Sequence, residues 1–189
     1  MKTQIICMLF TCFSAASMAQ YQYEPNKKFP FGQANPSAPK EIKDFEPMIG
    51  KCLCKSTNRA PDGSWAESVD MIWTFEYIMN GMAVQDKTLK ADGKHSGSIR
   101  QYDADSAKWF VHYYSSPAPG TSPLSYWTGN REENKIVLYR PQKSPQGYDG
   151  FARLTFYDFT DSGYKWIGEW VDVGNTIIFP FWKIECQKK

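Results

Sequence analysis

The sequence predicts an all-β protein, a single antiparallel β-barrel of about 8–10 strands preceded by a short N-terminal helical turn. Three observations predict this fold class. From Met48 onward, short aromatic and β-branched segments alternate with turn residues at regular spacing. No long helical pattern lies between these segments. Two cysteines near the start of this region and one near its end could join the first strand to the last.

Residues 1–19 are predicted to be a secretory signal. Lys2 precedes an apolar run, which is followed by small residues and a cleavage site before Gln20. The run is shorter than the roughly 20 apolar residues that span a bilayer. Lipid attachment at Cys12 and an uncleaved anchor are the alternatives. The sequence therefore predicts export, either to the periplasm or out of the cell.

The charge balance shows which partners long-range attraction could recruit. Removal of the predicted signal leaves 21 basic and 20 acidic residues, a net charge of +1. Such a chain has no long-range field to attract nucleic acid or an anionic membrane. No transmembrane segment is predicted after the signal.

The N-terminal part of the exported chain differs in composition from the rest. Residues 20–40 contain four prolines and no apolar periodicity, so we expect an extended or mobile segment. Residues 39–46 can form one or two helical turns, which Pro47 is expected to end. Residues 41–189 are the predicted barrel domain.

Ten candidate strands follow, each bounded by turn residues. Their predicted ranges are 48–57, 66–79, 82–89, 97–103, 108–115, 123–129, 135–140, 150–159, 163–171 and 176–186. Asn80-Gly81, between two apolar strands, is the strongest hairpin signal. Strands joined by such short turns run antiparallel.

Alternation along the strands predicts two distinct faces. Trp73 and Phe75 share one face of the second strand, and Trp166 and Trp170 share one face of the ninth. The period of two does not identify the inner face. A closed barrel normally turns its apolar face inward unless it holds a polar ligand.

The positions of the cysteines indicate whether the sheet closes into a barrel. Cys52 and Cys54 are two residues apart on a strand, so they point the same way. If the first and last strands pair, Cys186 lies beside either one, within the Cα separation of about 4.4–6.8 Å that a disulfide needs. We expect a bridge from Cys186 to Cys54 or Cys52, with Cys54 preferred. The remaining thiol is then a buried hydrophobe, a redox thiol, a dimer link or a metal ligand. Since three thiolates lack a clear fourth ligand, no metal or cofactor is predicted.

Short motifs built around aromatic and glycine positions recur along the chain. In order, they are Phe45-x-x-Met48-Ile49-Gly50-Lys51, Asp62-Gly63-Ser64-Trp65, Asn80-Gly81-Met82-Ala83-Val84, Ile99-Arg100-Gln101-Tyr102-Asp103, Lys108-Trp109-Phe110-Val111 and Tyr164-Lys165-Trp166. This order resembles the lipocalin-like (calycin-type) domains of unknown function in bacterial secreted proteins, over about residues 44–187. Such domains usually begin the barrel with Gly-x-Trp, where this chain has Gly50-Lys51-Cys52. The resemblance implies a barrel that can hold a ligand and no established reaction.

Ionisable residues inside strands are the candidate anchors for a ligand. Arg100 is expected to point inward, to pair with Glu169 or Asp70, and to receive an anionic head group in a bidentate contact. Tyr102 or a tyrosine of the fifth strand would assist it. The predicted ligand-binding residues are Arg100, Tyr102, Trp73, Tyr114, Arg153, Glu169 and Trp170.

The predicted function is binding of a small apolar or amphipathic molecule inside an exported barrel. One alternative is a barrel-pocket enzyme of the isomerase or cyclase type, with His112 or a buried carboxylate as the base. A second alternative is a structural envelope protein with a filled core. The sequence shows no nucleophile elbow, phosphate loop, zinc motif or dinucleotide fingerprint. It does not predict the oligomeric state.

Overall fold

The computed structural model describes residues 21–117 and 124–189, so the predicted signal at 1–19 lies outside the described residues. Ten strands close into one antiparallel barrel, in which β1 pairs with both β2 and β10. The strands are β1 (Gly50–Asn58), β2 (Val69–Ile78), β3 (Ala83–Lys90), β4 (Ser96–Asp103), β5 (Lys108–Ser115), β6 (Ser125–Glu132), β7 (Lys135–Pro141), β8 (Gly150–Thr160), β9 (Gly163–Asp172) and β10 (Ile178–Lys188). The predicted fold class is confirmed, and each strand overlaps a predicted one.

The alternation of apolar residues identifies the inner face of the barrel. In β2, every second residue from Met71 to Tyr77 is buried, and the residues between them are half-buried. These residues pack in one core with Trp109, Phe156 and Trp166. The aromatic face therefore points inward, which the period of two alone could not establish.

A 3₁₀ helix (Lys40–Met48) closes one end of the barrel. Ile42, Phe45 and Met48 are its buried residues, and their spacing of three matches the three residues per turn of this helix. Pro47 lies inside the helix, so the prediction that it ends the helix is wrong. A proline has no N–H to donate to the carbonyl of Asp44. That carbonyl instead accepts a bond of 3.1 Å from Arg131 Nη1, which ties the helix to the barrel.

Residues 21–39 lie against the turn between β2 and β3. The N–H of Tyr77 donates to Phe31 O at 2.8 Å, and the N–H of Asn35 donates to Gly81 O at 3.1 Å. Gly81 has φ +77°, and a Cβ there would lie 2.3 Å from Gln33 O, so only glycine fits. These hydrogen bonds tie the segment to the hairpin, whereas the sequence predicts an extended or mobile segment at residues 20–40. The residues between the prolines keep their N–H groups, so they can pair with the hairpin.

The seam between β1 and β10 carries the disulfide. Cys54 lies directly opposite Cys186, their Cα atoms are 4.1 Å apart, and their sulfurs are bonded. The prediction of a bridge to Cys186, with Cys54 as the preferred partner, is confirmed. Cys52 is buried and carries a free thiol.

The two ends of the barrel differ in their connections. At one end, which we call the closed end, the strands are joined by the turns 79–82, 104–107, 133–134 and 161–162, beside the 3₁₀ helix. At the other end, which we call the mouth, longer loops join the strands. Among the described residues, these loops are 59–68, 91–95, 142–149 and 173–177.

The bridge should contribute strongly to stability. Replacing Cys54 by serine opens a loop between residues 132 positions apart, and we expect the free energy of unfolding to fall by about 3–5 kcal/mol. Urea unfolding measures this loss. The matched control is Cys52→Ala, which keeps the bridge and should lose less than half as much. Equal losses in the two variants would contradict the role assigned to the seam.

Candidate functional site

A buried ion pair lies on the inner face of the barrel, beside Phe45 of the 3₁₀ helix. Arg100, on β4, is 2% exposed and pairs with Asp86 of β3. Asp86 also accepts a hydrogen bond from Trp73 Nε1 at 2.7 Å. The rings of Phe45 and Phe75 lie 5.0 and 4.8 Å from the guanidinium carbon. The charge of Arg100 is therefore neutralised and enclosed by aromatic rings.

Arg100 has the orientation predicted from the sequence, but its partner and its role differ from the prediction. It points inward as expected, but the predicted partners are wrong. Asp70 pairs with Lys55 on the outer face, and Glu169 pairs with Arg153. The register places Asp86 one step diagonally from Arg100, within reach of its long side chain. Because Arg100 is already paired and is closed off from solvent, it does not fit the anchoring role predicted for it.

Four of the predicted site residues lie on the outer wall. Arg153 Nε and Nη2 donate to Glu169 Oε2 at 3.0 and 2.8 Å. Tyr114 and His112 lie on the outer face of β5, and the His112 ring is 5.8 Å from that of Tyr126. Since His112 faces away from the barrel interior, it does not fit the role of a base in a barrel pocket.

Tyr102 lies at the closed end. Its ring is 5.5 Å from that of Trp109, which in turn donates from Nε1 to Asp44 Oδ2 of the 3₁₀ helix at 3.0 Å. Desolvation by its surroundings raises the pKa of Tyr102, and the negative charges of Glu41 and Asp44 add to the effect. Tyr102 therefore lies at the opposite end of the barrel from Trp170, which is the predicted ligand-binding residue at the mouth.

A row of inward side chains crosses the mouth from β6 to β9. Ala152 lies opposite both Arg140 and Trp170, so all three share the inner face. The guanidinium carbon of Arg140 is 4.3 Å from the ring of Trp127. Arg140 Nη2 donates to Gln142 Oε1 at 2.7 Å, and Trp170 Nε1 donates to Gln142 O at 2.9 Å. Gln142 thus holds the guanidinium and the indole in fixed positions.

Arg140 differs from Arg100 in its electrostatic surroundings. Within residues 21–117 and 124–189, no carboxylate forms an ion pair with Arg140. Desolvation lowers the pKa of Arg140 from its ordinary value. A guanidinium nevertheless stays protonated in proteins and presents a planar fork of donors. The arrangement can bind a carboxylate or a phosphate through paired hydrogen bonds.

Aromatic side chains form the walls of the mouth around this row. The ring of Tyr113 is 6.0 Å from that of Trp127. On the other side, Lys90 Nζ is 5.7 Å from the ring of Trp182 and 3.4 Å from a carboxylate oxygen of Asp92. Lys90 therefore has a carboxylate partner, whereas Arg140 has none among the described residues.

Only glycine at position 150 permits the observed placement of Trp170. A Cβ there would lie 2.6 Å from Trp170 Cζ2 and 2.3 Å from Val171 O. The first residue of β8 is therefore part of the mouth, although it has no side chain of its own.

Sequence reasoning missed Arg140 and Asp86, although both are in phase with the inward residues of their strands. Arg140 is two residues from Leu138 and four from Ile136, both fully buried in β7. Asp86 lies between the buried Val84 and Thr88 of β3. A charged residue in phase with buried neighbours points inward.

Two grooves lie on the outer wall. The larger, about 1390 Å³, is bordered by exposed charges that include the Lys55–Asp70 and Lys165–Asp158 pairs. The smaller, about 400 Å³, contains Arg153 and Glu169. The exposed pairs of the larger groove contribute little binding energy, and the largely buried Arg153 and Glu169 of the smaller groove already satisfy each other.

The free thiol of Cys52 faces the barrel interior near Tyr164. Burial raises the pKa of Cys52 and holds that of Tyr164 well above its ordinary value. A thiol with a raised pKa is a poor nucleophile at neutral pH. Across the described part of the chain, no group of three or more His, Cys, Asp and Glu side chains is arranged to hold a metal ion.

Comparisons with known proteins add little to this geometry. No protein-family model matches the chain, and no curated protein matches its sequence. One similar solved structure is a protein of unknown function from the DUF3598 family of Nostoc punctiforme. It is 6% identical, and the match covers 80% of this chain and 100% of that one with a TM-score of 0.26. A likeness at that level carries no argument about fold or function. In residues 21–117 and 124–189, no helix has the length and apolar character needed to cross a bilayer.

The buried ion pair leads to a prediction about stability. Replacing Asp86 by asparagine leaves the Arg100 charge buried without a counter-charge, so we expect a loss of about 3–5 kcal/mol in the free energy of unfolding. The double variant Asp86→Asn, Arg100→Met removes the stranded charge and should recover part of that loss. Urea unfolding of the three proteins measures both effects. A double variant less stable than the single one would contradict this account.

The raised pKa values predict loss of stability in alkali. The ordinary values of Cys52 and Tyr164 are 9.0 and 10.0, and both are raised in the folded chain. The folded state therefore holds these protons more tightly than the unfolded state. The stabilisation is complete below pH 9.0 and is lost as the pH rises above it. Urea unfolding across this range measures the slope, which Tyr164→Phe with Cys52→Ala should flatten. An unchanged slope in that variant would contradict the assignment.

Proposed function

We propose that this chain is an exported, lipocalin-like barrel that binds a small amphipathic anion at its mouth. The anionic group pairs with Arg140, and the apolar part lies against Trp127, Trp170 and Trp182. The observation that carries the proposal is the inward, desolvated guanidinium of Arg140, for which the described residues supply no carboxylate.

The energetics favour an anionic ligand over a neutral one. A desolvated cation without a counter-charge is costly, and an incoming carboxylate relieves that cost while it forms charge-assisted hydrogen bonds. The aromatic walls add apolar contact area for a hydrocarbon or ring. The closed end, where Trp109, Phe45 and Phe156 are fully buried, limits such a ligand to the mouth half of the barrel.

The two alternatives are less well supported. A barrel-pocket enzyme needs an inward base, but His112 faces outward and Asp86 is held by Arg100 and Trp73. A structural protein with a filled core agrees with the packed closed end. It gives no reason for a guanidinium at the mouth that has no carboxylate partner among the described residues.

The proposal is tested with two probes that share a tail and differ in charge, dodecanoate and dodecyltrimethylammonium, at concentrations below micelle formation. We expect dodecanoate to bind at least about tenfold more tightly, because a hydrogen bond to a charged group contributes about 1.5–3 kcal/mol. Arg140→Gln should abolish this preference and Arg140→Lys should keep part of it. Isothermal titration calorimetry measures the affinity of the unaltered chain and of both variants for each probe.

The matched control is Arg153→Gln, which removes an arginine from the outer wall and should leave the preference unchanged. If the unaltered chain binds neither probe, the proposed site is wrong and the filled-core alternative is favoured. If Arg140→Gln and Arg153→Gln lower the affinity equally, the anchor is not Arg140. Native mass spectrometry of protein purified from its own cells would then identify any bound molecule directly.

A further inference from the structure

Exposed apolar side chains are concentrated on one sector of the mouth. Trp65 lies in the loop between β1 and β2, Val173 and Ile177 lie in the loop between β9 and β10, and Ile178 and Phe179 begin β10. They are 37%, 65%, 60%, 50% and 48% exposed, respectively. We call these five residues the apolar rim. Exposed apolar residues so closely grouped mark an interaction surface.

Contacts between the loops join the rim into one surface. Arg59 lies between its two aromatic members, with its guanidinium carbon 5.6 Å from the ring of Trp65 and 4.8 Å from that of Phe179. Lys183 Nζ is 4.8 Å from the ring of Trp65. Neither cation forms an ion pair with a carboxylate in the described part of the chain.

The rim is also continuous with the row of inward side chains at the mouth. Phe179 pairs directly with Trp170 across β9 and β10. From Trp170 the row continues through Ala152 to Arg140. A surface that covers the rim would therefore lie beside the opening of the barrel.

We propose that the apolar rim docks on the surface of an anionic lipid bilayer. Tryptophan with arginine and lysine is the combination that occupies the membrane–water interface, because rings enter the headgroup region while cations contact phosphates. The unpaired charges of Arg59 and Lys183 are complementary to anionic headgroups. The net charge of +1 supplies no long-range attraction, so docking depends on local contacts within about a Debye length, roughly 10 Å.

Membrane docking by the apolar rim is a property separate from ligand binding at Arg140, and either can be absent while the other is present. Vesicles of phosphatidylcholine alone and of phosphatidylcholine mixed with phosphatidylglycerol are the probes, and co-sedimentation is the measurement. We expect stronger binding to the anionic vesicles. Ile177→Ser with Phe179→Ser should lower the partition coefficient at least tenfold, and Arg59→Gln with Lys183→Gln should remove the preference for anionic lipid.

The matched control is Met79→Ser with Met82→Ser, because these residues are 55% and 40% exposed at the closed end. All variants share the same N-terminus, so a difference between them arises from the substituted surface. Arg59→Gln with Lys183→Gln should leave dodecanoate binding unchanged, which separates docking from ligand binding. Equal losses in the rim and Met79–Met82 variants would overturn the inference, as would a lack of binding by the unaltered chain. A dimer in solution that only the rim variants dissociate, without vesicle binding, would assign the rim to a second copy instead.

Discussion

The pairing of β1 with β10 is the constraint on which the rest of the structure depends. It gives each of the ten strands two neighbours, so no strand edge is left unpaired. It also divides the side chains into an inner and an outer set. Without that pairing, the aromatic face would have no opposite wall to pack against, and the Asp86–Arg100 pair would be open to water. The Cys54–Cys186 bond lies in this seam and resists its opening.

Closure determines how the interior is filled. At the closed end, Trp73 packs against Phe75, Phe156 and Tyr164 with ring centroids 5.2, 5.8 and 5.9 Å apart. An ion pair in such surroundings has lost its hydration, and it persists because each charge has a partner and Trp73 supplies a further hydrogen bond. The closed half of the barrel is therefore a packed core.

Much of this architecture could be predicted from the sequence, because period-two alternation and turn residues are local signals. The ten strands, the hairpin at Asn80-Gly81 and the Cys54–Cys186 bridge are confirmed. The candidate site was harder to predict because it depends on register between distant segments. Glu169 lies opposite Arg153 rather than near Arg100, and only the pairing of β8 with β9 determines this. Strand β7 reads as a continuous apolar run before Arg140, which obscures the alternation that turns that residue inward.

Arg100 and Arg140 have different electrostatic surroundings inside the barrel. Both side chains point inward, both contact aromatic rings, and both are removed from bulk water to some degree. Arg100 has Asp86 as a counter-ion, so its charge is already balanced and adds nothing to ligand recognition. Among the described residues, Arg140 has the neutral oxygen of Gln142 as a partner and no carboxylate. Since the described residues give a counter-charge to one of two similar cations and none to the other, the mouth, where the second cation lies, is the end at which we propose that an anion binds.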